Sequence, residues 1–283
     1  MHDLARKNSR RSAGCVLAAL LFPLPFLAGC SNSKVADQYK PAQPITKWDD
    51  SEWAAVLVEV VTPGGMVRYQ LFRDNTGGVR DALFRHIGKI NAVSPENRPE
   101  LFPTENDKLA YWINAYNAVC MYRVIKRGYP GNMLASIPPG AIYFTDTTSI
   151  GGRSMSLDTL EKSKVLSAKD PRVHFALNCA SYSCPPLRGE PFTGAQLDAQ
   201  LTDQGRIYLS DPRAVTSDGG DTVGLNSIFT SYYRGDFTSW YERKFGKKGT
   251  VLDALKQFAA PDSPVQRATK FKGSGYNWDR NEG

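Results

Sequence analysis

The sequence predicts an α+β fold in a single domain, with helices packed on a small antiparallel sheet. Three observations carry that reading. Helical spacing of apolar residues dominates up to about residue 128, short β-branched and aromatic runs split by glycines come later, and the two kinds of element do not alternate as a parallel α/β sheet requires.

Trp53, Val56, Leu57, Val60 and Val61 recur at helical spacing, and Pro63-Gly64-Gly65 ends that first helix. Residues 66–72 alternate weakly and predict an extended connection. A second helix is predicted over 79–93, with Leu83, Ile87 and Ile90 on one stripe and His86 beside it as a packed or half-exposed imidazole. Thr104 with Asp107 approximates a capping box and opens a third helix that runs to Gly128. This helix is apolar nearly all round, which places it centrally. It nevertheless carries Asn114 and Asn117, three apart on one face, and a buried amide without a partner costs about 1–3 kcal/mol.

Residues 141–149 and 153–156, split by Gly151-Gly152, predict a hairpin, and Ser156 caps a short helix to Leu160. Val173 to Cys179 reads as a buried strand, 194–209 as a helix, 214–229 as a hairpin around Asp218-Gly219-Gly220, and 250–259 as a last helix.

The N-terminus predicts a location. Arg6, Lys7, Arg10 and Arg11 precede an apolar run from Cys15 to Leu27, and Leu27-Ala28-Gly29-Cys30 follows. That is the pattern of a bacterial lipoprotein signal, too short for a spanning helix. The expected organisation is a signal peptide over 1–29, a lipidated tether over 30–47 and one domain over 48–283. Cys30 is the expected lipid attachment point, and a diacylglycerol plus an N-acyl chain such as palmitate exceeds what stable anchoring needs. Ser31, rather than aspartate, favours the periplasmic face of the outer membrane. The expected partners are the membrane, through that lipid, and an envelope protein or peptide.

The net charge is +7, and the leader's four basic residues and one acid leave +4 for the rest. Without an arginine-rich or aromatic-basic stripe, that excess does not predict nucleic-acid binding. No phosphate loop or dinucleotide turn is present, and no cofactor is expected.

Chemistry concentrates between His174 and Leu187, which gather one imidazole and two thiols, Cys179 and Cys184. In an oxidising compartment the cysteines pair if a turn at 180–183 brings their Cα atoms within roughly 4.4–6.8 Å. Alternatively one is a thiolate activated by His174 for amide or acyl transfer. A straight strand would point Cys179 away from His174, whereas Cys184 on the following loop could fold back. A metal site of His174, Cys179 and Cys184 is disfavoured, because the spacing matches no close Cys-x-x-Cys pair. Cys120 reads as a small buried hydrophobe. Asn114 and Asn117 either hold the 174–187 loop or orient His174 and donate to an oxyanion. Asp158 and Glu161 could add a carboxylate, although cap and helix-face acids are usually solvated.

Four motifs carry a resemblance to a family. Tyr-Trp-Ile-Asn-Ala-Tyr-Asn-Ala at 111–118, the segment 174–187, Ser-Ile-Phe-Thr-Ser-Tyr-Tyr-Arg-Gly-Asp-Phe at 227–237 and Tyr-Asn-Trp at 276–278 together resemble the domain-of-unknown-function 547 family, over roughly residues 48–281. Asn178 and Asp279-Arg280 depart from the pattern. The family implies no settled activity. The order of elements also resembles, faintly, the transglutaminase and papain-like folds, which would put Asn114 and Asn117 on the nucleophile helix and His174 on the histidine strand. Two functions remain open: a thiol-dependent hydrolase or transferase using His174, Cys179 or Cys184, and Asn117; or a catalytically silent binding module whose disulfided loop presents Tyr182.

Overall fold

A computed structural model describes residues 39–283. Helices α1 (Ser51–Val60), α2 (Tyr69–Asp74), α3 (Val79–Ala92) and α4 (Glu105–Lys126) come first, followed by the short α5 (Ala141–Phe144). Strands β1 (Thr148–Ile150) and β2 (Arg153–Met155) lead into α6 (Leu157–Leu160) and a wide helical turn over Glu161–Val165. Then come α7 (Leu197–Leu209), β3 (Val215–Ser217), β4 (Thr222–Asn226), α8 (Arg234–Phe245), α9 (Val251–Leu255), α10 (Pro264–Arg267) and β5 (Lys270–Gly275). The fold is α+β, as the spacing predicts. The sheets are small, and one pair departs from the expected antiparallel order: β1–β2 and β3–β4 are antiparallel, but β4–β5 is parallel.

Helix α4 is the axis of the first half. Thr104 and Asp107 close a full capping box at its start, and every residue from Ala110 to Val124 is buried. Twenty-two residues make a rod of roughly 33 Å. The β1–β2 hairpin docks on α3 through its tip, where Gly151 and Gly152 take positive φ and donate to the free carbonyls of Ile90 and Asn91, both at 2.9 Å. The buried Arg123 of α4 then ties in the surrounding chain. Its guanidinium donates to the carbonyls of Ile142 and Met155, both at 2.9 Å, and to Thr148 Oγ1 at 3.1 Å. Burial lowers it to about 10.

Two apolar cores result. One gathers α1 to α4 and the β1–β2 region; the other gathers Tyr208, Leu225, Phe229, Phe237 and Leu255 around the three-stranded sheet. Residues 173–177 run between them: Val173, Ala176 and Leu177 belong to the first core and Phe175 to the second.

That position corrects the strand expected at 173–179. Pro171–Phe175 is a tight helical turn, opened by Asp170, whose side chain accepts from the Arg172 N–H at 3.0 Å, and by Pro171 in the first turn. The apolar run marks a segment buried on both sides, not a paired one. Residues 141–144 likewise form a helical turn, leaving only 148–150 as the first strand of the hairpin. Residues 69–74 are helical instead of extended, because the αL residue Asn75 donates its own N–H to the carbonyls of both Leu71 and Phe72 and closes the turn.

The leader, Cys30 and the start of the expected tether lie outside the described residues. From Tyr39 onward the chain rests on α3: the Tyr39 hydroxyl donates to Asp81 at 3.2 Å, and its carbonyl occupies the space that a side chain on Gly88 would fill. Among the described residues no helix is long and apolar enough to cross a membrane.

His86 is fully buried against Trp53, and neither ring nitrogen has a hydrogen-bond partner among the described residues; Asp50 Oδ1 lies 3.7 Å from Nε2. Burial lowers His86 to about 3 and raises Asp50 to about 6. An unfolded histidine takes its proton near 6.5, so the His86 contribution to stability is full above that pH and lost as pH falls. For Asp50 the raised value has the opposite effect, with stability present below about 4 and lost as pH rises through 6. Relative to the parent, His86→Leu should therefore gain stability and Asp50→Asn should lose it between pH 6.5 and 4. Each slope should be at most about 1.4 kcal/mol per pH unit. Urea unfolding across that range measures both, and slopes of the same sign would contradict the assignment.

Candidate functional site

The segment from His174 to Leu187 is irregular backbone buried between two cores, and its polar groups need partners that no sheet supplies. Helix α4 supplies them. Asn117 Nδ2 donates to the Ala176 carbonyl at 3.0 Å, and the Asn178 N–H donates to Asn117 Oδ1 at 2.8 Å. One turn earlier, Asn114 grips Phe192 in the same two-point manner, at 2.8 and 3.0 Å. Each carboxamide is thus spent on backbone.

Asn178 holds the next turn. It donates to the Pro185 carbonyl at 2.8 Å and accepts from Ala180 N–H at 2.9 Å and Asn281 Nδ2 at 3.1 Å. Ala180 takes a positive φ of 61°, and the turn brings Cys179 and Cys184 to a Cα separation of 6.1 Å, where they form a disulfide. Residues 276–281 then close over the loop. Tyr182 N–H donates to the Asp279 carbonyl at 2.6 Å, Asn281 N–H to Ala180 at 3.0 Å, and Ser181 bridges antiparallel to Arg280. Both departures from the family pattern, Asn178 and Asp279-Arg280, therefore sit in this clamp.

A cavity of about 120 Å³ opens beside the loop. Its wall draws on all four motifs: Tyr116 from the first, His174, Cys179 and Cys184 from the second, Tyr232 and Tyr233 from the third, Tyr276 and Trp278 from the fourth. The structure thus brings His174, Cys179 and Cys184 to one wall. Asn114 and Asn117 are not on it.

His174 is buried, with Nε2 2.8 Å from Asp236 Oδ2 and its ring stacked on Tyr233 at 4.0 Å. The hydrogen bond to His174 holds the Asp236 carboxyl below its usual range. Tyr233 in turn donates to Glu161, which also binds the Tyr116 hydroxyl. Burial raises the Glu161 carboxyl above the ordinary glutamate range despite those donors. Tyr276 places its hydroxyl 2.7 Å from Ser181 Oγ, 3.1 Å from Cys179 Sγ and 3.2 Å from Cys184 Sγ. Cys120 is free and buried, its thiol pushed up to about 12 by desolvation.

Residues 101–209 match the family of proteins of unknown function DUF547. The match supports the family that the motifs resemble, and it contains the α4 and His174 motifs. The matched segment does not include Tyr232, Tyr233, Tyr276 or Trp278, which complete the wall, nor Asp236, the partner of His174. No similar protein was found among curated proteins, and none among solved structures.

Sequence reasoning offers Glu161 as a carboxylate but favours a solvated one, and it passes over Asp236 and Tyr276 as site residues. Asp236 and Tyr276 stand inside quoted motifs, so the signal was present, but their roles depend on contacts 62 and 97 positions away in the chain.

Replacing Asn117 by alanine should orphan a buried carbonyl and a buried N–H and cost on the order of 3 kcal/mol. Asn117→Asp should do no better, because its second oxygen would face the Ala176 carbonyl. Urea midpoints measure both. An Asn117→Asp midpoint at the parent value would rule out the clamp.

Proposed function

We propose that this protein is a ligand-binding module of the cell envelope, anchored through acylated Cys30 at the periplasmic face of the outer membrane. In this reading the Cys179–Cys184 disulfide staples the pocket wall. One observation carries it: the two sulfurs of the cavity are bonded to each other, while the third cysteine is buried with a strongly raised thiol. Thiol nucleophiles act as thiolates in accessible, electropositive surroundings. Cys120 is inaccessible, and its desolvation outweighs the attraction of the nearby Arg123. The carboxamides of Asn114 and Asn117, already bonded to backbone, are not free to receive an oxyanion. The basic leader, the short apolar run and Cys30 support the anchored location.

A second reading, thiol-dependent amide or acyl transfer, is favoured by one feature. His174, backed by Asp236, shares its cavity with both sulfurs. After reduction, Cys179 or Cys184 would attack the carbonyl and His174 would carry the proton to the leaving group.

Alkylation of the native protein from an oxidising compartment separates the two. The binding reading expects no cysteine of the domain to be labelled until reduction and unfolding, and a mass about 2 Da higher after reduction. Rapid labelling of Cys179 or Cys184 in the native protein would sink it in favour of the second. For the anchor, Cys30→Ala should move the protein from the membrane to the soluble periplasmic fraction; unchanged membrane partition would refute acylation there.

A further inference from the structure

The cavity wall is aromatic and acidic. Tyr276 and Trp278 pack with centroids 4.6 Å apart, and Tyr232 meets them at 5.6 and 6.2 Å; Tyr143 lies 6.1 Å from Trp278. Tyr232 and Phe144, both exposed, line its mouth. The acidic and basic side chains that line it are Asp158, Glu161 and His174, with no lysine or arginine. The Lys169 and Arg243 side chains line a separate cavity on the other side of His174.

The two carboxyls are not equivalent. Asp158 is paired with Lys162 at 2.7 Å. Glu161 takes the hydroxyls of Tyr233 and Tyr116, and among the described residues no lysine or arginine stands within ion-pair distance of it. Burial disfavours the Glu161 carboxylate and raises its proton affinity, and the tyrosine hydroxyls and the attraction of His174 offset this only in part. The faces of tyrosine and tryptophan rings carry negative quadrupole charge and attract cations, most strongly where water is excluded.

We propose that this cavity binds a small organic cation bearing an ammonium or trimethylammonium group, with Glu161 as its counter-ion and Tyr232, Tyr276 and Trp278 as its aromatic wall. The inference rests on the binding-module reading and names the ligand class of that site. An anion would face two carboxyls, and a neutral apolar group would add no charge to offset the burial of Glu161. The volume fits a head group rather than a polymer segment.

Calorimetry of the full chain at pH 7 with choline and with 3,3-dimethylbutan-1-ol, which has the same shape but carbon in place of the charged nitrogen, tests it. Choline should bind about tenfold or more tighter than the neutral isostere. Glu161→Gln should remove roughly that advantage while leaving the isostere unchanged, which also shows that the variant is folded. Trp278→Leu should weaken both. Equal affinity for the two probes would overturn the cation inference and leave the binding module standing. Failure of both probes at tens of millimolar would overturn it as well, and the alkylation experiment would still judge the binding module independently.

Discussion

The structure depends on a hydrogen-bonding constraint. Helix α4 packs against other helices and also against irregular chain, and irregular chain buried in a dry interior must find partners for its peptide groups one by one. Side chains of α4 meet that need along its length: Tyr111 donates to the Val93 carbonyl at 2.6 Å, Asn114 holds Phe192, Asn117 holds Ala176 and Asn178, and Arg123 holds Ile142 and Met155. Polar residues on an otherwise apolar helix are therefore its connection to the rest of the fold. They replace the ladder that a large sheet would have provided.

The same constraint separates what was legible in the sequence from what was not. The Thr104–Asp107 cap, the α1 and α3 stripes, the Gly151-Gly152 hairpin and the turn at 218–220 are local, and local signals translate directly into local structure. Residues 173–179 were misread because a segment buried on both sides has the same composition whether it pairs as a strand or runs as coil. Pro171 after Asp170 was the available hint, since that pair favours a helical start. The parallel β4–β5 pair joins residues more than forty positions apart, and no periodicity records such a partnership. At the site, the histidine and cysteines stood out by chemistry. Glu161 did not, because an acid beside a short helix is ordinarily solvated, and only Tyr233 and Tyr116 make it otherwise.

Electrostatically, His174 is a partition. It lines both the aromatic cavity, whose charged neighbours are acids, and a polar basin that holds Lys169, Arg243 and its own partner Asp236. One imidazole thus separates a cavity whose carboxyls have no lysine or arginine on the same wall from a basin where Asp170 and Asp236 stand with Lys169 and Arg243. Tyr233 stacks on that ring and also donates to Glu161, so the two sides share a rigid element rather than a mobile one.

The clamp of residues 276–281 over the 179–184 loop has a consequence for the order of assembly. A chain that emerges N-terminus first can complete its helical half, and even join two sulfurs five positions apart, while half of the aromatic wall has yet to arrive. Closing so long a connection is slow compared with forming helices. Cavity occupancy would therefore signal a finished molecule, and a fragment trimmed to residues 101–209 would hold an imidazole and a disulfide without Tyr232, Tyr233, Tyr276 and Trp278 to complete the wall.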